Sequence, residues 1–209
     1  MEPNMEIYVK KINSTLLEMT ELIENIGDCV KAALEEKKGG LLPLTTEMCK
    51  AAQLKEEKVL EICVEALIRM QPFASDLRTL TTSMKVAYDI SRICRYLRNI
   101  IEVMEEFNIS ECDVGDVLPL LKDARAMVTS SISSYINRDL KTAKDLIKAD
   151  DSIDQRYRTI LRKLATGEFN GTCILFNGLT ARIIERMADH ACYISYETIY
   201  LVTGNRVEY

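Results

Sequence analysis

Tryptophan is absent from this chain of 209 residues, histidine occurs once, and only 8 glycines and 4 prolines interrupt it. Aromatic residues make up 6% of it. Sheet proteins draw on aromatic and β-branched residues and on frequent turns, so this scarcity points away from a sandwich or barrel. The period-two alternation of a half-buried strand is missing throughout. Positive charge is not in excess: 27 Lys and Arg stand against 32 Asp and Glu, for a net charge of -5. A nucleic-acid binder needs a basic face to neutralise phosphates, so no nucleic-acid partner is expected. No apolar run approaches the roughly 20 residues that cross a bilayer. The opening residues, MEPNMEIYVKK, lack the basic start and apolar core of a secretory signal, and the expected location is cytoplasmic. The 7 cysteines show no CxxC or CxxH spacing, which argues against a cysteine-ligated zinc site and against a disulfide framework. Cys29, Cys63, Cys94, Cys173 and Cys192 are expected to be small core hydrophobes.

What the chain does contain is helix-forming apolar residues at helical spacing, within an apolar content of 47%. Ile12, Leu16, Met19, Ile23, Ile26, Val30 and Ala33 form a heptad-like face that ends at Gly39-Gly40. A second helix is expected from Pro43 to about Met70. QPFASDLR then breaks it, with Pro72 in the first turn of a third helix and Asp76 near that helix's positive end. The third helix runs to Phe107. After a polar link come helices at roughly 116–137, 140–165 with Asp139 as N-cap, and 172–203. The prediction is an all-α fold. Residues 1–107 and 116–209 form two similar three-helix units joined by 108–115. The similarity rests on Ser91-Arg92-Ile93-Cys94-Arg95-Tyr96, which matches Glu185-Arg186-Met187-Ala188-Asp189-His190.

Acidic residues interrupt the apolar faces of the second unit. On the fifth helix Ala143, Leu146, Ile147, Tyr157, Leu161 and Leu164 share a face that also contains Asp150 and Asp154. Asp151 points about 100° away. On the sixth, Ile183, Met187, Ile194 and Leu201 form an aliphatic side, and Glu185 and Asp189 lie opposite it near Gly178, Ala181 and Cys192. An antiparallel hairpin of the two helices would bring four carboxylates together. Such a cluster must take up protons, pair with cations or bind a hard metal ion. Alternatively, Glu185 and Asp189 are a solvated face paired with Arg182 and Arg186. His190 lies about 140° around the helix from Glu185 and is expected to be a satisfied groove histidine rather than a partner of the acids. The Glu-x-x-His pair of ferritin-like di-iron helices is missing.

With QPFASDLR opening the third helix, IERMADHACYISYETIYLVTG closing the sixth, and a duplicated three-helix unit, the chain resembles the PhoU family over nearly its whole length. That resemblance implies a six-helix, two-repeat bundle that regulates phosphate transport without being an enzyme. Its partners would be a phosphate ABC transporter, chiefly the ATPase subunit, and a membrane sensor kinase. The protein would be at the membrane only through these partners, with a homodimer as a further expectation. Family members carry E/D-x-x-x-D acid pairs in each half, and in several these pairs bind multinuclear iron or zinc clusters on the surface. Asp150, Asp154, Glu185 and Asp189 match these pairs and would be the metal ligands, for iron, zinc or manganese. In the first half Ser91 and Arg95 stand where acids are expected, and an ungapped match places Glu56 and Leu60 opposite them. Arg92, Arg95 and Arg98 suggest that cations have replaced the metal, with Arg95 expected to pair with Glu57 or Glu61. The alternative there is an ordinary ion-paired face, Asp89–Arg92 and Arg98–Glu102. A different reading of the whole chain is a carboxylate metalloenzyme or metal store. No nucleophile–base pair or glycine-rich phosphate loop supports catalysis.

Overall fold

The seven residues of the heptad-like face, from Ile12 to Ala33, are all buried, and they line the inner side of α1, Pro3–Glu36. Five further helices follow in the computed structural model, which describes residues 3–207: α2 (Leu42–Met70), α3 (Ala74–Glu106), α4 (Val117–Ile136), α5 (Leu140–Thr166) and α6 (Gly171–Thr203). No strand occurs among the described residues. Helices α1, α2 and α3 pack together, as do α4, α5 and α6, and α3 lies against α6 to join the two sets. A narrower contact joins α1 to α4. Because α6 touches α3, α4 and α5, most of its circumference is buried, including Phe176, Ile184, Met187 and Ile194. No helix among the described residues is long and apolar enough to cross a membrane.

The helix ends follow local chemistry in most places. Asp139 caps α5, its carboxylate accepting from the backbone N–H groups of Lys141 and Thr142 at 3.0 and 3.1 Å. Gly204 closes α6 with φ 76°, a left-handed conformation that glycine adopts without a Cβ clash. Pro72 departs from expectation: it lies in the connection ahead of α3, which begins at Ala74. There it stops α2 instead, next to Gln71 at φ 44°.

The segment between α3 and α4 is less polar in effect than in composition. Ile109, Cys112 and Val114 are buried, and Cys112 forms a disulfide with Cys173 at the start of α6, with Cα atoms 5.2 Å apart. This corrects the reading of Cys173 as a free core hydrophobe. Two isolated cysteines 61 residues apart carry no spacing signal, and only the fold brings them together. Cys63, Cys94 and Cys192 are buried and free, as expected, whereas Cys29 is only partly buried.

The apolar face of α5 is rotated from its expected position. Ile153 and Ile160 are buried beside Ala143 and Leu164, whereas Leu161 is 38% exposed. Helix α5 packs on α4 as well as on α6, so the face it buries is set by two neighbours rather than by one stripe.

Candidate metal centre

Helices α5 and α6 form the expected hairpin, and it brings Asp150, Asp154, Glu185 and Asp189 within electrostatic reach of one another. Asp150 is pushed up to about 6 by burial, then by the charges of Asp189 and Asp154. Burial also raises Glu185 and Asp189, with Asp154 adding to both and Asp189 adding to Glu185. The Cys192 thiol donates a hydrogen bond to Asp150, and its own pKa rises through burial and the neighbouring carboxylates.

Three arginines share this groove. Arg182 pairs with Oε1 of Glu185, Arg158 with Asp154 at 3.3 Å, and Arg186 with Asp189 at 3.7 Å. The ion-paired alternative for Glu185 and Asp189 is therefore present in the structure. As the side chains stand, no group of three or more His, Cys, Asp or Glu among the described residues is arranged to hold a metal ion.

The arginines do not satisfy the cluster. Oε2 of Glu185 is buried with no hydrogen-bond partner, a costly state for a carboxylate oxygen. The three arginine side chains are 40–64% exposed, so their pairs with the acids face solvent. An all-oxygen donor set with an orphaned buried oxygen and raised acids suits a hard cation. By chemistry Asp150, Asp154, Glu185 and Asp189 are the residues that would hold the metal that the resemblance implies.

His190 does not join them. Its Nδ1 is hydrogen-bonded to Oδ1 of Asp89 on α3 at 2.8 Å, and its ring lies 5.5 Å from that of Tyr96, also on α3. Asp89 therefore does not pair with Arg92. Its carboxyl is raised by burial, with the His190 bond and charge opposing the rise. Nearby, Lys85 of α3 pairs with the buried Glu197 of α6 at 2.6 Å. These polar ties between the two sets of helices were not anticipated. Asp89 beside the apolar Val86, Ile90 and Ile93 was the signal that could have revealed them.

At the corresponding place in the first set, Ser91, Arg92, Arg95 and Arg98 of α3 face Cys49, Lys50 and Gln53 of α2 across a small cavity. Glu56 and Leu60 do not line it. Helix α3 has three more residues ahead of Ser91 than α6 has ahead of Glu185, and in an antiparallel hairpin this slides the facing register by about a turn. The expected pairing of Arg95 with Glu57 or Glu61 is absent; Arg95 is exposed and forms no ion pair among the described residues. Arg98 does pair with Glu102, at 2.7 Å.

Comparison with known proteins accounts for the duplication. The family model described as the PhoU domain matches twice, at residues 14–104 and 117–198. A phosphate-specific transport system accessory protein PhoU homolog from Pseudomonas putida is 31% identical, covering 96% of this chain and 81% of the relative. A homolog of the same description from Clostridium acetobutylicum is 24% identical over 97% of this chain and 96% of its own. Among solved structures, PhoU from Pseudomonas aeruginosa superposes with a TM-score of 0.86 at 27% identity, covering 96% of this chain and 99% of that one. The phosphate transport system regulatory protein PhoU from Streptococcus pneumoniae, 17% identical, shares the fold with a TM-score of 0.90 over 98% of this chain and 100% of its own. With both three-helix sets matched by the same domain and relatives aligned along nearly the full length, the chain belongs to the PhoU family.

Proposed function

We propose that this protein is a non-enzymatic accessory regulator of phosphate uptake, acting in the cytoplasm on the ATPase subunit of a phosphate ABC transporter. The main support is the double PhoU-domain match, together with the relatives' description as accessory proteins of phosphate-specific transport. The outer face of α2 supports a docking role: Leu60, Val64 and Ile68 are exposed at one-turn spacing, and Phe73 beyond them is 85% exposed. A membrane sensor kinase would be a second partner.

Within this reading Asp150, Asp154, Glu185 and Asp189 hold iron, manganese or zinc. Bound there, the metal ion would neutralise the carboxylates and tie α5 to α6. A metal store or oxidase draws less support. His190, the one nitrogen ligand the chain could offer, is committed to Asp89.

The test is co-purification of the tagged protein with the ATPase subunit at high and low phosphate. Phosphate-dependent retention, lost on Ile68→Glu with Phe73→Ser, is the expected result. A protein that ignores the ATPase subunit at both phosphate levels, while showing metal-dependent oxidase turnover, would overturn the proposal.

A further inference from the structure

The groove between α2 and α3 encloses a cavity of about 300 Å³ lined by Lys50, Arg92, Arg95 and Arg98, and no carboxylate lines it. Two of these cations are compensated at its edge, Lys50 by Glu47 and Arg98 by Glu102, each at 2.7 Å. The other two are not. Arg92 donates to the Tyr96 hydroxyl at 3.0 Å and lies over its ring, and it has no acid partner among the described residues. Arg95 is exposed and equally without one. Nε of Arg98 is buried with no hydrogen-bond partner. Arginine keeps its charge at every physiological pH, so about two positive charges face this cavity uncancelled. They do so in a protein whose net charge is -5.

The lining also selects by geometry. Guanidinium forks bind phosphoryl oxygens bidentately, and one fork per oxygen pair suits a tetrahedral, multiply charged group better than a single carboxylate. Gln53, Asn99 and Thr46 add neutral donors around the rim. Cys49 contributes no competing negative charge, because burial pushes its thiol up to about 11 and its Sγ–H donates to the Cys94 carbonyl.

We propose that this cavity binds a phosphoryl group carrying two or more negative charges, either a free phosphate or pyrophosphate ion or the monoester headgroup of an anionic lipid. The site is separate from the carboxylate cluster of α5 and α6 and needs neither its metal nor the transporter.

The experiment uses the full chain stripped of metal with chelator, so that no cation at the carboxylates can capture phosphate. Equilibrium dialysis against inorganic phosphate and pyrophosphate forms one arm. Sedimentation with phosphatidylcholine vesicles containing phosphatidate forms the other. The native protein should bind one equivalent in at least one arm, and Arg92→Ala with Arg95→Ala should weaken that binding about tenfold or more. Arg95→Lys, which keeps the charge and loses the fork, should fall between the two. Binding in dialysis assigns the ligand to free phosphate; binding to vesicles alone assigns it to the lipid headgroup. Binding in neither arm, or undiminished binding by the double variant with an unchanged helical circular-dichroism spectrum, overturns the proposal.

Discussion

The two repeats share a scaffold but carry opposite charge at the matching groove. In the second repeat four carboxylates gather between α5 and α6, and burial and neighbouring negative charge raise the pKa of Asp150, Glu185 and Asp189. In the first, Ser91 and Arg95 occupy the positions of Glu185 and Asp189, and cations line the cavity between α2 and α3. The apolar positions around them are kept: Ile90 and Cys94 are buried on α3, as are Ile184 and Ala188 on α6. Core packing constrains volume and periodicity, whereas a groove side chain is constrained only by what it must neutralise or bind. Duplication has therefore preserved the bundle and left the groove chemistry free to diverge.

The largest expected effect concerns the covalent asymmetry. Among the described residues only the second repeat is closed by a disulfide, from Cys112 ahead of α4 to Cys173, across 61 residues. Replacing Cys112 and Cys173 by serine should cost the oxidised protein about 4 kcal/mol in denaturant unfolding by the loop-entropy relation. Adding reductant to both proteins should close the gap, and a gap that persists would assign the cost to packing instead. Next comes the tie between the repeats: Asp89→Ala, which strands the buried His190, should destabilise by about 2 kcal/mol. Tyr96 and His190 occupy matching positions and meet in a tilted ring contact across the junction, so this loss should appear as uncoupled melting of the two repeats. The charge contrast can then be rebuilt. Ser91→Glu and Arg95→Asp with Cys49→Asp and Gln53→Asp restores an acid pair on each helix of the first repeat, and metal analysis should find added metal there. No gain over the native protein would break the match between the two grooves. A smaller effect comes from Asp150→Asn, which removes one of the crowded charges. Discounted for its partial exposure, the metal-free protein should gain about 1 kcal/mol, and the metal-loaded protein should lose stability. Arg95→Ala should move stability by less than about 0.5 kcal/mol, because an exposed side chain without a partner contributes little.

The fold was legible because its signals are local and repeated. The α1 face and the Asp139 cap could be read from spacing and residue type alone. What could not be read depended on contacts between distant segments. Cys112 and Cys173 meet only after α4 and α5 have folded back, and Asp89 finds His190 only across the junction of the repeats. The Arg95 pairing failed because an ungapped match ignored the three-residue difference ahead of Ser91. The four acids lie within electrostatic reach of one another, but Arg158, Arg182 and Arg186 pair with three of them in a way that helical wheels do not show. A crystal soaked in iron or manganese should show an anomalous peak among Asp150, Asp154, Glu185 and Asp189.

The bridge from Cys112 to Cys173 makes the backbone from 112 to 173 a closed ring. A protease that cut the α5–α6 turn, where Phe169 is 36% exposed, would open that ring without releasing a fragment. Helices α4 and α5 would stay tethered to α6 through sulfur, so the nicked protein would run as one chain until reduced. Cleavage outside the ring, in the α2–α3 turn beside Phe73, would have no such safeguard. The first repeat is the half that proteolysis can take apart.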